Sequence, residues 1–385
     1  MRRHRPRPFR SMVSAIAVGG LALVVLGMVA EWGAGAALKF IRDKRPPYVA
    51  DAGDDMLSKL YDTDQPQRYR EVLAEAPHLS DTVYAPFVEY RLAPWRGRHV
   101  TIAEDGWRGN GAEPQDLRGE GRKVFVFGGS TTLGAGVPDN ETIPAYLDAA
   151  LKAAGRSDVT VFNFGAPAYT STQELVALQQ LLVSGIKPDV AVFVDGVEDF
   201  YSCSVPDRSA WYEQLMQLTR ARSRLPVLVE LSHRSNLVQL ARHLTGDRSV
   251  MMREWGSFCD NEADIDRVIR RLDGNRRMID GMADRLGFKA VFVQQPVPTY
   301  SYDNRKRPLP VRDEMLGYHL NSARGYPRLA AKRGAGELFD RNLLWLADLE
   351  PEGNAYIDIA TYSPRFNKAI AERVAAAIVE GGLLP

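Results

Sequence analysis

Residues 122–136 read RKVFVFGGSTTLGAG, a β-rich apolar run that breaks into glycines and presents one hydroxyl, Ser130. A serine at the start of a helix sits beside free backbone N–H groups, which favour a developing oxyanion. Three later stretches bring other groups used in acyl transfer. Asn163-Phe164-Gly165-Ala166 offers Gly165, where a backbone can approach a substrate with no Cβ in the way. Asp195-Gly196-Val197-Glu198-Asp199 offers two adjacent carboxylates, and Asp358 is followed three residues on by Thr361. The chemistry suggested is attack of a serine on an ester, which needs a base to take the hydroxyl proton.

Regular alternation positions these groups. Short β-rich runs at 123–128, 159–163, 189–194 and 289–294 are separated by helical patterns at 141–154, 171–185 and 263–286. A shorter strand at 355–358 precedes a helix over 364–380. Strands apolar on both faces and alternating with helices predict an α/β fold with a doubly wound parallel sheet, a three-layer sandwich of flavodoxin-like kind. Ligands on such sheets bind beyond the carboxyl ends of the strands, where all four stretches fall.

Those blocks, in that order, resemble the SGNH (GDSL-type) hydrolases over about residues 122–201 and 288–380. The family's Gly-Asp-Ser-like block corresponds to Gly128-Gly129-Ser130, its second-block glycine to Gly165, its Gly-x-Asn-Asp to Gly196-Val197-Glu198-Asp199, and its Asp-x-x-His to Asp358-Ile359-Ala360-Thr361. The resemblance implies a serine esterase or acyltransferase with no cofactor and no metal, acting on O-acylated glycans. It departs at two positions. Thr361 stands where the family has its histidine, and threonine accepts no proton near pH 7. Glu198 stands where an asparagine amide would complete the oxyanion hole, and a carboxylate there repels the charge it should stabilise. Asp358 is in place to orient an imidazole that is missing.

Other bases are His4, His78, His99, His233, His243 and His319, of which His319 follows the fourth strand's loop and lies nearest in sequence to the crevice. Glu198 itself is a further candidate, if burial beside Asp199 raises its pKa. The loop QQPVPTYSYDNRKRPLPVRD interleaves Tyr300 and Tyr302 with Arg305, Lys306, Arg307 and Arg312, which suits an acidic glycan and also suits a solvated loop. Trp95, Arg96 and Arg98 would extend such a groove. No His, Cys or carboxylate group falls at metal-ligand spacing.

Lysine plus arginine number 49 against 48 acids, so no global field points to nucleic acid. The first ten residues are arginine-rich, and residues 11–30 carry no charge over a length that spans a bilayer. We read 1–10 as a cytoplasmic basic tail, 11–31 as a transmembrane anchor, 32–53 as a stalk, 54–121 as an accessory leader and 122–385 as the hydrolase-like domain. The leader has one helix near 55–76. A cleaved signal peptide ending at Ala34-Gly35-Ala36 is the alternative to the anchor. Either version places the main domain outside the cytoplasm. Cys203 and Cys259, the two cysteines, form one bridge there or remain buried thiols. The anchor and leader resemble a membrane-tethered bacterial subgroup associated with exopolysaccharide, which implies polysaccharide-assembly proteins as partners. The expectation is a hydrolase fold impaired in ester hydrolysis that binds glycan or acylated glycan, with an active esterase or O-acyltransferase using an unfamiliar base as the alternative.

Overall fold

The computed structural model describes residues 9–43, 49–111, 115–201, 203, 235–237, 240, 258–311 and 313–384. The chain divides into one unit of Met1–Pro47 with Glu213–Glu254, and a second of Tyr48–Tyr212 with Trp255–Pro385.

In the first unit, helix α1 runs over Phe9–Asp43. Its stretch Val18–Ala37 is long and apolar enough to cross a membrane, with mean hydropathy 1.6, and Val18, Leu21, Val25, Leu26, Met28, Val29 and Trp32 all face outward. A loose stalk was expected from residue 32, yet the helix continues to Asp43. The segment is alanine-rich, and each of its glycines costs a helix only about 1 kcal/mol. Glu31 accepts hydrogen bonds from Ser235 Oγ at 2.8 Å, from the Leu237 N–H at 3.1 Å and from the Asn236 N–H.

The second unit is built on a parallel sheet of five strands, β5 (Arg122–Gly128), β6 (Val159–Gly165), β7 (Val190–Asp195), β8 (Lys289–Gln294) and β9 (Leu343–Trp345), in the order β6-β5-β7-β8-β9. Valines at alternate positions (Val124, Val126, Val192, Val194, Val293) face one layer, where α5 (Ile143–Ala153) and α11 (Pro364–Glu380) supply Leu147, Phe366, Ile370 and Val374. The intervening residues are phenylalanines, and Phe127, Phe193 and Phe292 stack across three strands at ring separations of 5.0 and 5.8 Å. They meet α6 (Ser171–Val183) and α8 (Glu262–Leu286) through Leu175, Leu178, Ile279 and Ala283. Period-two alternation with both faces apolar thus yields two cores, as a buried parallel strand requires.

The register pairs Gly128 with Gly165 and Val194, and Asp195 with Gln294, so the polar turns leave the sheet at one end. The fifth strand is Leu343–Trp345 and not 355–358 as expected. Ala355, Tyr356 and Ile357 are buried, but that segment folds back on itself: the Ile357 N–H donates to the Thr361 carbonyl at 3.0 Å, and Tyr356 bridges Tyr362.

The leader departs from one helix as well. Asp62, left-handed at φ 51°, ends α2 (Asp54–Tyr61), and Pro66 begins α3 (Pro66–Glu75). Proline fits the first turn of a helix and breaks its interior. Two hairpins follow, β1 (Thr82–Ala85) with β2 (Glu89–Leu92), and β3 (Trp95–Arg96) with β4 (Thr101–Ile102). Arg108 then pairs its N–H with the Asn163 carbonyl at 2.9 Å, which covers the free edge of β6. Cys203 and Cys259 form a disulfide with Cα atoms 5.2 Å apart, the first just after α7 (Val197–Tyr201) and the second just before α8.

Candidate active site

Ser130 opens α4 (Ser130–Leu133), a single turn closed by Gly134 in the left-handed conformation. So short a helix has little dipole to offer. Its N-terminal donor is already used: the Ser130 N–H donates to Glu198 Oε1 at 2.8 Å, and Ser130 Oγ donates to the same oxygen at 2.9 Å. Glu198 reaches there from the first turn of α7, and any side chain at Gly129 would collide with its carboxylate. A carboxylate oxygen therefore lies where the serine's N–H would meet an oxyanion. Burial pushes the Glu198 carboxyl up, while the two bonds from Ser130 pull it down.

Gly165 is placed differently from the expectation. The space a Cβ would take is filled by the backbone of Leu133 and Thr132, so glycine permits α4 to pack on β6. Its N–H donates to Asn163 Oδ1 at 2.9 Å. Asp199 turns away from Ser130 and accepts from Ser171 Oγ at 2.7 Å, holding the start of α6, with Arg271 3.9 Å away. Tyr300 packs against Tyr326, ring centroids 5.6 Å apart, in a cluster with Val197 and Phe200.

Asp358 and Thr361 stand together. Asp358 Oδ1 accepts from the N–H groups of Ala360 and Thr361 at 3.0 and 2.7 Å, and Thr361 Oγ1 donates to Asp358 Oδ2 at 2.9 Å. These three bonds close the turn and hold the Thr361 hydroxyl on the carboxylate. Between this turn and Ser130 lies Gln295, just past β8: its Oε1 contacts Thr131 Oγ1 at 2.9 Å and Tyr362 OH at 3.3 Å. Thus the neighbours of Ser130 and Thr361 meet on one buried amide. A glutamine immediately after a strand's carboxyl end was the signal for it in the sequence.

His319 lies in a short 3₁₀ turn, with its ring 4.9 Å from that of Tyr201. Burial lowers the imidazole to about 4, against the opposing charge of Asp358, so it is neutral at pH 7. His78 is held by Asp81 at 2.9 Å and His99 by Glu71 at 2.8 Å, both in the leader. His4, His233 and His243 lie outside the described residues.

The loop after β8 is not a free basic surface. Arg307 is buried, stacks over Tyr356 at 4.3 Å and donates to the Asp358 carbonyl at 2.7 Å. Arg305 pairs with Asp303 at 2.8 Å and Lys306 with Glu350 at 2.6 Å, while Arg312 lies outside the described residues.

Behind Glu198 sits a cluster that the sequence did not announce. Glu174, Asp195 and Asp199 are all buried, with Arg276 4.0 Å from Asp195. Burial raises both Glu174 and Asp195, as does negative charge around them; a hydrogen bond between the two places the proton on Glu174. Asp195 and Asp199 stand in the third block, and what the sequence did not show is that Glu174 of α6 joins them. Among the described residues no group of His, Cys, Asp and Glu is arranged to hold a metal ion.

Residues 126–326, just over half of the 385-residue chain, match the GDSL-like lipase/acylhydrolase family. Similar solved structures include a carbohydrate acetylesterase from Sinorhizobium meliloti, 14% identical, covering 67% of this chain and 99% of that one at a TM-score of 0.33. A lipase/acylhydrolase from Enterococcus faecalis is 15% identical and covers 68% and 96% at 0.33. A GDSL-like lipase from Bacteroides thetaiotaomicron is 12% identical and covers 68% and 87% at 0.32. Likeness at that level transfers no chemistry. No curated protein matches the chain.

Proposed function

The chain belongs to the GDSL-like lipase/acylhydrolase family, and on that premise we propose that it is a membrane-anchored, extracytoplasmic member that binds glycan or acylated glycan without hydrolysing the ester. One observation carries this reading: Glu198 Oε1 accepts both the hydroxyl and the N–H of Ser130. An acyl carbonyl approaching Ser130 would have to displace a carboxylate from the donor it needs. Losing one oxyanion donor costs about 2.7–4 kcal/mol of transition-state stabilisation, a factor of 10² to 10³ in rate. Thr361 in place of an imidazole removes the proton acceptor as well.

The anchor reading is supported by the apolar stretch of α1 behind an arginine-rich start, an order that keeps the start cytoplasmic. A Cys203–Cys259 bridge is suited to an oxidising compartment such as the periplasm. A role in exopolysaccharide or envelope handling, beside polysaccharide-assembly proteins at the inner membrane, fits such a tethered binding module.

The test offers p-nitrophenyl acetate and O-acetylated xylan oligosaccharides to the detergent-solubilised full chain, with Ser130→Ala as control. The expected result is the same background rate for both proteins and measurable retention of the acetylated oligosaccharide. Turnover that depends on Ser130 contradicts it. A second reading has its own observation, since 2.9 Å from Ser130 Oγ is also the position of a general base. On that reading Glu198→Gln abolishes a Ser130-dependent activity, where the first reading has none to abolish.

A further inference from the structure

The leader carries a cleft of about 830 Å³ that borders neither Ser130, Glu198, Asp358 nor Thr361. Its walls include Trp95, Trp107, Arg96, Asn110, Gln115 and Glu104, a mixture of aromatic, amide and cationic groups with one exposed acid. Trp95 is braced by His78, ring on ring at 3.5 Å. The floor is fixed: Asp139 lines it and accepts from fully buried Arg108 at 2.8 Å. Two polar atoms in the walls, Trp95 Nε1 and Gln115 Oε1, are buried without a hydrogen-bond partner among the described residues, which protein interiors seldom tolerate unless something else satisfies them. The cations differ in commitment. Arg98 is held by Glu71 at 2.9 Å, whereas Arg96 is exposed and in no ion pair among the described residues.

We infer that this cleft is a saccharide site separate from the serine crevice, and that it takes an oligosaccharide containing uronate. A tryptophan ring packs on the C–H face of a pyranose, amides pair with its hydroxyls, and a guanidinium grips the carboxylate. A volume of about 830 Å³ is that of a small-ligand site, large enough to enclose part of a chain and leave the rest outside. The choice of a glycan as the ligand rests on the proposed function; the separateness of the cleft does not.

Isothermal titration of the detergent-solubilised full chain with tetragalacturonate, and with cellotetraose as the neutral counterpart, tests it. The uronate binds and the neutral sugar binds more weakly. Arg96→Ala weakens the uronate about tenfold or more, as loss of a charge-assisted pair does, and Arg96→Lys recovers part of it. Arg96 is exposed, so neither variant threatens the fold. Ser130→Ala and Glu198→Gln leave this affinity unchanged. Absence of uronate binding, equal affinity in Arg96→Ala, or loss of binding in Glu198→Gln each overturns the inference. None of those results bears on esterase turnover, by which the proposed function stands or falls separately.

Discussion

At the scale of the residue, the proposed lack of turnover turns on two departures from a family pattern, Glu198 and Thr361, both legible because each sits at a named place in a short block. What the sequence did not disclose was geometry. Glu198 was read as a carboxylate facing the oxyanion, and the structure has it bonded to the nucleophile's own N–H and hydroxyl. Gly165 was read as open to substrate, but backbone fills that space. Such contacts depend on which way a turn leaves its strand, which residue type alone does not encode. If the site is merely eroded, Thr361→His with Glu198→Asn restores Ser130-dependent acetate hydrolysis, while either change alone leaves it at background. Failure of the double variant in an esterase assay indicates that the crevice itself has diverged. His319 gives a second test. Its folded pKa of about 4 lies below the ordinary 6.5, so between those values the unfolded chain binds the extra proton and stability is lost as pH falls. The loss amounts to about 3 kcal/mol at most. In His319→Gln the fall in Tm between pH 6.5 and 4 becomes shallower, and an unaltered slope counts against the assignment.

At the scale of the element, the strands at 122–128, 159–165, 190–195 and 289–294 were readable from the apolar runs 123–128, 159–163, 189–194 and 289–294, since a strand buried on both faces is apolar over most of its length. The edge was not. Leu343–Trp345 is three residues long, too short to stand out, while 355–358 looked like a strand because its residues are buried for a different reason. Nor did the sequence show that the leader is pinned to the serine turn. Arg108 is fully buried and donates to Asp139, to the carbonyls of Leu133 and Gly134, both at 2.7 Å, and to that of Val137 at 2.6 Å. Removing one partner from a buried charge pair costs about 3–5 kcal/mol. Arg108→Met is therefore expected to lower the free energy of unfolding, extrapolated from a denaturant titration, by that amount. A loss under 1 kcal/mol would show that the leader is dispensable to the serine loop.

At the scale of the whole molecule, the apolar helix, the bridge and the α/β unit answer different questions. The apolar run at 11–31 lies within α1, and alanine and glycine beyond it were read as a stalk because composition does not separate a tolerant helix from a loop. Deleting residues 1–43 is expected to move the protein from the membrane fraction to the soluble fraction, checked by fractionation at high salt. The Cys203–Cys259 bridge closes a sequence separation of 56 residues, worth about 4 kcal/mol on a chain-entropy account. Reductant should lower the Tm of the wild type and leave that of Cys203→Ser unchanged. The central claim, that the family serine is inert in this chain, is tested most directly by incubating the full-length protein with a fluorophosphonate and weighing it intact. An unmodified mass at neutral pH is the expected result. A phosphonyl adduct mapped to Ser130 would contradict it.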